Sequence, residues 1–285
     1  MTTKYVFSGH ESFPCKQLWL KKGFDFLVQG YNFNAPDAVV KLGVGKNMVS
    51  SIRYWMKTFA LTQNDELQKI AFYLFDDKKG KDPFIEDLGT LWLLHYLLVT
   101  TGEATIYNWL FIRMQKERKE FTRAQILTTT QRYMIEAGKG KAFNENTVKK
   151  DVGVLLQNYV RPTHARSFEE YTSLLLDLDL IRTADEGKTY QFNIEGKRPL
   201  PLEIFVFALL KLKGNDRSLP FSTLQELGLV FCMTDMENIA MLRRASAAFP
   251  EYMHYSDVAG VRQIQFTKDL SPKTVLDKYY HHDQD

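Results

Sequence analysis

The 285-residue sequence carries 45% hydrophobic and 25% charged side chains, which excludes extensive disorder and fits two or three small domains. A net charge of +3 and a pI near 8.6 exclude the overall basic character of a histone-like binder, so any nucleic-acid surface is local. Cys15 and Cys232 form neither a CxxC pair nor a zinc ligand set, and the longest apolar run, residues 88–99, is interrupted by His95 and too short for a bilayer. A cytoplasmic protein with reduced thiols and no membrane contact is the expectation.

Residues 4–13 read as a short extended piece that turns at Ser8-Gly9. Pro14 opens a helix to about Gln29, with Leu18, Trp19, Leu20, Phe24, Phe26 and Leu27 as its apolar face. His10 and Glu11 stand before it. A catalytic or metal pair there would need further ligands or a nucleophile, and no HExxH follows. Glu11 or Ser12 capping the helix, with His10 hydrogen-bonded into the domain, accounts for the same residues.

Residues 34–62 hold two helical runs joined by Leu42-Gly43-Val44-Gly45, the pattern of a helix-turn-helix. Pro36 suits a first turn, Asn34 or Asp37 offers a cap, and Gly43 or Gly45 supplies the sharp turn. The second run places Lys46, Asn47, Ser50, Ser51, Arg53 and Lys57 on its outer face. Arg or Lys toward phosphate and guanine, and Asn toward adenine, are the residue types of a recognition helix. A packing hairpin with a solvated basic face has the same pattern.

The chain resembles a bacterial family known as domain of unknown function 4007. The residues that carry the likeness are Phe7-Ser8-Gly9-His10-Glu11-Ser12-Phe13-Pro14, Trp19-Leu20-Lys21-Lys22-Gly23, and the Leu42 to Val49 turn with Ile52-Arg53-Tyr54-Trp55. Where relatives are expected to have an aromatic or aliphatic residue and Arg, this chain has Cys15-Lys16. The resemblance implies a place beside a phosphoadenosine-phosphosulfate (PAPS)-reductase-like protein in DNA phosphorothioation and related phage-defence systems. It carries over no catalytic residues.

Residues 67–75 read as a strand or a short helix, and residues 76–83 as a charged loop. Residues 86–101 and 103–116 are apolar core helices broken at Thr101-Gly102, with His95 a hydrogen-bonded core residue. A second helix-turn-helix runs over 122–160, starting at Thr122, stopping at Gly138-Lys139-Gly140-Lys141 and restarting at an Asn144 cap. Lys139, Lys141, Lys149 and Lys150, with Arg161 and Arg166, are the densest positive stretch, suited to a phosphate backbone or to solvent. A helix from 167 and a hairpin at 180–194 then complete a winged-helix order, with Arg182 and Lys188 on the wing. Pro199 and Pro201 mark a boundary. Beyond it come a helix at 202–212, a loop at 214–218, helices at 221–227 and 235–249, with Arg243 and Arg244 on the latter, and strands at 252–256 and 261–266. His281-His282-Asp283 is a frayed end rather than a metal site.

The expected fold is mainly α: tandem winged-helix or helix-turn-helix modules with short β-hairpin wings around a central helical core, in domains 1–82, 83–198 and 199–285. No nucleophile elbow, phosphate loop or dinucleotide fingerprint is present, so no catalytic residue, metal site or cofactor is assigned. The expected partner is double-stranded DNA, plain or phosphorothioated, met by Lys46, Asn47, Ser50, Arg53, Lys57, Lys139, Lys141, Lys149, Lys150, Arg182 and Lys188. The alternative is a scaffold or accessory subunit for the PAPS-reductase-like sulfurtransferase. Oligomeric state stays open.

Overall fold

The computed structural model describes residues 5–162, 171–185 and 187–282. The fold is mainly α, with small antiparallel sheets, and it divides at the Arg198 to Pro199 junction into two units. In the first unit, α1 (Trp19–Val28), α2 (Ala38–Leu42) and α3 (Lys46–Thr58) lead to a hairpin of β1 (Thr62–Gln63) and β2 (Glu66–Leu67). Asn64 and Asp65 both take positive φ in its turn, a conformation their short polar side chains tolerate. α4 (Lys69–Phe75) and the charged loop follow.

At the centre is α5 (Leu88–Thr100), buried from Gly89 to Val99 on every side, as an all-apolar helix has to be. Asp87 caps it by accepting the Thr90 amide. His95 has the structural role expected of it, with Nδ1 2.8 Å from the Tyr159 hydroxyl. α6 (Thr105–Asn108), a π-helical turn at Trp109–Met114 and α7 (Gln115–Glu117) make up the next helical run.

The rest of the unit is β3 (Glu120–Phe121), α8 (Arg123–Glu136), α9 (Glu145–Tyr159), β4 (Ile181–Thr183) and β5 (Tyr190–Phe192), with sheet order β3-β5-β4. α8 starts in a reciprocal capping box, Thr122 with Gln125, and the Asn144 side chain accepts the Thr147 amide at the start of α9. The second unit repeats the arrangement: α10 (Leu202–Lys213), β6 (Ser218–Pro220), α11 (Phe221–Val230), α12 (Asp235–Ala248), β7 (Met253–Val258), β8 (Val261–Phe266) and α13 (Pro272–His282), with sheet order β6-β8-β7. Thr234 and Glu237 form the capping box of α12.

Three expectations change. The first helix begins at Trp19 rather than Pro14, with no side-chain cap from Glu11 or Ser12. The amides before it are committed elsewhere: Cys15 N donates to Asn158 Oδ1, Gln17 N donates to the Thr172 carbonyl, and Cys15 O accepts from Leu174 N. That pairing places Ser173 in an isolated bridge with Lys16, so the helix expected from 167 is interrupted there, and Leu176–Leu178 form a 3-10 turn. The beginning of that expected helix lies outside the described residues, as do Arg166 and Asp283. Ser51, expected on the outer face of α3, is fully buried and donates to the His10 carbonyl at 3.0 Å.

Residues 8–13 tie the unit together. Ser8, Gly9, Glu11 and Ser12 all have positive φ, a tight and locally unfavourable path. It delivers His10 to Asp151 of α9, with Nε2 2.7 Å from Oδ1 and both residues 3% exposed. The Ser12 amide donates to His10 Nδ1, so the imidazole proton sits on Nε2 and points at the carboxylate. The Ser8 amide donates to both Asp151 oxygens at 3.0 and 3.1 Å. On the other side, Trp55 Nε1 of α3 donates to the Phe13 carbonyl. A Cβ on Gly9 would stand 2.5 Å from the Tyr54 ring, so glycine is required both for the backbone angle and for the space.

Asp151→Ala leaves His10 Nε2–H buried without an acceptor and takes the Ser8 amide's partner away, and should cost about 2–4 kcal/mol in chemical denaturation. A loss below about 1 kcal/mol would show that water substitutes for the carboxylate. Gly9→Ala should lose about 1–3 kcal/mol by the same measurement, because φ and Tyr54 both oppose the methyl group; an unchanged midpoint would refute the tight contact.

Candidate nucleic-acid interface

α3 is presented by two glycines with different tasks. Gly43 closes α2 in the left-handed region at φ 63°, and Gly45 is the extended N-cap of α3. Lys46, Asn47 and Ser50 are exposed on the first two turns. Further along, Arg53 makes a two-pronged ion pair with Asp65 of the β1–β2 turn, Nε to Oδ1 2.8 Å and Nη2 to Oδ2 2.6 Å, while Nη1 donates to Asn34. Lys57 Nζ lies 2.6 Å from Glu103 Oε2. The outer face therefore has an open N-terminal half and an ion-paired C-terminal half.

The α8–α9 junction contributes the other cluster. Gly138, at φ 70°, ends α8, and Lys139 and Lys141 are exposed in the connection, with Lys150 exposed on α9. Lys149 is held 2.5 Å from Glu145 one turn earlier. On the β4–β5 hairpin Lys188 is exposed, whereas Arg182 grips Asp179 through Nε and Nη2. Arg161 pairs with Asp177. Among the described residues, then, Lys46, Lys139, Lys141, Lys150 and Lys188 have no carboxylate partner, and Arg53, Lys57, Lys149 and Arg182 have one. Half-exposed pairs of this kind are worth about 0–1 kcal/mol, so a phosphate can compete for them, at the expense of the carboxylate.

Charge is unevenly divided between the units. Residues 1–198 hold 28 Lys and Arg against 23 Asp and Glu, a net of +5; residues 199–285 hold 9 against 11, a net of −2. In the second unit Arg243 and Arg244 are exposed on α12, but Asp235 and Glu237 occupy its first turn.

Two residues outside the expected set shape the first unit's surface. Asp151 left a trace in sequence, an acid among the apolar positions Val148, Val152 and Leu155 of an amphipathic helix. Tyr54, half-buried beside Arg53, left none. Burial, and after it the carboxylates of Asp151 and Glu103, push its phenol far above the ordinary range, so it is a neutral donor. His10 offers no free ring nitrogen, since Nδ1 accepts from Ser12 and Nε2 donates to Asp151.

Residues 7–280 match the model of a family described as "Protein of unknown function (DUF4007)". The chain belongs to that family. No curated protein matches this DUF4007 chain. Among solved structures it is similar to "SspB crystal structure", at 26% identity and a TM-score of 0.84, covering 98% of this chain and 88% of that one. It is likewise similar to "Magnesium ion-bound SspB crystal structure", at 26% identity, a TM-score of 0.83 and the same coverage. The described residues of the DUF4007 chain hold no group of three or more His, Cys, Asp or Glu set for a metal ion. Its paired carboxylates are engaged: Asp25 and Asp77 on Lys21, and Asp82 on the Glu86 and Asp87 amides. No described helix is long and apolar enough to cross a membrane.

Proposed function

We propose that this DUF4007 protein binds double-stranded DNA, plain or phosphorothioated, through lysines that its first unit holds on two helix-turn-helix frames. The setting is the phosphorothioation-linked defence system that the family resemblance implies, with the chemistry left to other components. The observation that carries this is the set of exposed lysines without carboxylate partners, Lys139, Lys141 and Lys150, gathered around the turn between α8 and α9. Cations so placed can release counterions from a phosphate backbone, the main source of affinity for DNA. Two further features support it. Helix, strand, two helices and a hairpin is winged-helix order, repeated in α7-β3-α8-α9-β4-β5 and α10-β6-α11-α12-β7-β8. Lys46, Asn47 and Ser50 also stand open on α3, with the residue types that meet phosphates and base edges.

A second reading draws on the other unit. Its net charge is negative, and it exposes Met236 on α12 and Val258 and Val261 at the β7–β8 turn. Those features suit a protein partner, such as the PAPS-reductase-like sulfurtransferase, better than a phosphate backbone.

In a duplex-binding titration across salt, replacing Lys139, Lys141 and Lys150 by Gln should flatten the slope of log affinity against log salt by about 0.9 per lysine. Lys149→Gln should flatten it less, because Glu145 already neutralises that charge. An unaltered slope in the triple variant would refute the assignment of this surface. For the second reading, Met236→Glu with Val261→Glu should abolish co-elution with the reductase-like protein and leave duplex affinity unchanged; retained co-elution rules it out.

A further inference from the structure

Beside the open half of α3 lies a pocket of about 340 Å³ between α3 and the β1–β2 turn. Its size is that of a small-molecule site. Tyr54 provides the aromatic wall, Ser50 and Thr62 provide hydroxyls, and Asn64 an amide, with Arg53 and Lys57 at the margin. No aliphatic side chain lines it, so it does not suit an apolar ligand. Both cations already carry carboxylates, Asp65 and Glu103, so a free multivalent anion gains less here than at an unpaired lysine. Mixed donors and acceptors around one aromatic ring are what a nucleobase edge and face require.

Tyr54 is prepared for that task. Its ring lies against Gly9, where a Cβ would fall at 2.5 Å, and it meets His10 edge-on at 5.7 Å and Trp55 at 5.0 Å. The anchored segment thus fixes the ring in place. The Tyr54 hydroxyl has no hydrogen-bond partner among the described residues, although its phenol is a permanent donor. Ser50 belongs both to this pocket and to the outer face that carries Lys46 and Asn47, so a strand lying on α3 passes its mouth.

We propose that this pocket receives one unstacked nucleotide of the bound DNA, with the base against the Tyr54 ring and its edge on the Ser50, Asn64 and Arg53–Asp65 groups. The proposal rests on the duplex-binding function of α3. It implies that the protein prefers DNA in which a base is already free of the stack, since unstacking otherwise costs a few kcal/mol.

The test compares three duplexes of one sequence by fluorescence anisotropy: fully paired, with a one-nucleotide bulge, and with an abasic residue at the bulge. The base-bearing bulge should bind about tenfold tighter than both others, the scale of one base on an aromatic ring. Tyr54→Leu removes the ring and should lose most of that preference while paired-duplex affinity stays; Tyr54→Phe, which keeps the ring on Gly9 and the thermal midpoint, should keep it. Lys150→Gln should weaken all three duplexes equally. If the abasic bulge binds as tightly as the base-bearing one, or Tyr54→Leu retains the preference, the nucleotide pocket is refuted and duplex binding stands. If none of the three binds, duplex binding falls and the pocket with it.

Discussion

An aspartate carboxylate with 3% of its surface left to water needs donors, and Asp151 receives them from a segment some 140 residues away in sequence. The Ser8 amide and the His10 imidazole reach it along a path in which Ser8, Gly9, Glu11 and Ser12 take positive φ, which most residues avoid. That local cost is offset by satisfying a buried charge, which would otherwise weigh against the native state. The same path brings the His10 carbonyl to Ser51 and the Phe13 carbonyl to Trp55. One strap therefore touches α3 on one side and α9 on the other. The two helices with the exposed lysines are tied by a common set of hydrogen bonds in addition to the packing of each against its own neighbours.

This accounts for the string of residues most characteristic of the chain without assigning it chemistry. Gly9 is needed for its angle and for the Tyr54 ring, and His10 for a proton on one nitrogen and a lone pair on the other. Ser51 is needed for a hydroxyl facing inward. A His-Glu pair in sequence invites a search for a metal or a nucleophile, yet Glu11 is exposed at a turn and His10 is committed on both nitrogens.

What was legible in the sequence was local. The helix start at Thr122, the Asn144 cap and the Gly43 turn each involve partners within four residues, so composition and spacing reveal them. The buried helix α5 was legible because an apolar stretch of that length has few other places to go. The start of α1 was not, since it depends on Cys15–Gln17 pairing with residues 172–174. Nor were β3 and β6, which are too short to show a period and are strands only because β5 and β8 lie alongside. At the candidate interface, spacing identified exposed Lys46, Lys139 and Lys150 correctly as surface residues but misplaced Ser51, whose side of α3 is covered by the strap. It could not foresee that Arg53 and Arg182 would be claimed by Asp65 and Asp179.

The repetition of one strand order in two units, with no repeat in sequence, separates what the frame decides from what the side chains decide. The frame requires a short strand ahead of two helices and a hairpin after them, and it sets a helix and a turn at the surface. It places no demand on their charge, because those positions face water in either case. In the first unit they became lysine; in the second, an acidic helix start with Met236 and a valine-rich turn. A core of the same plan can thus present a lysine-bearing surface in one unit and an apolar, acid-flanked surface in the other. The difference lies wholly in residues that contribute little to stability, and those are the residues free to differ between units.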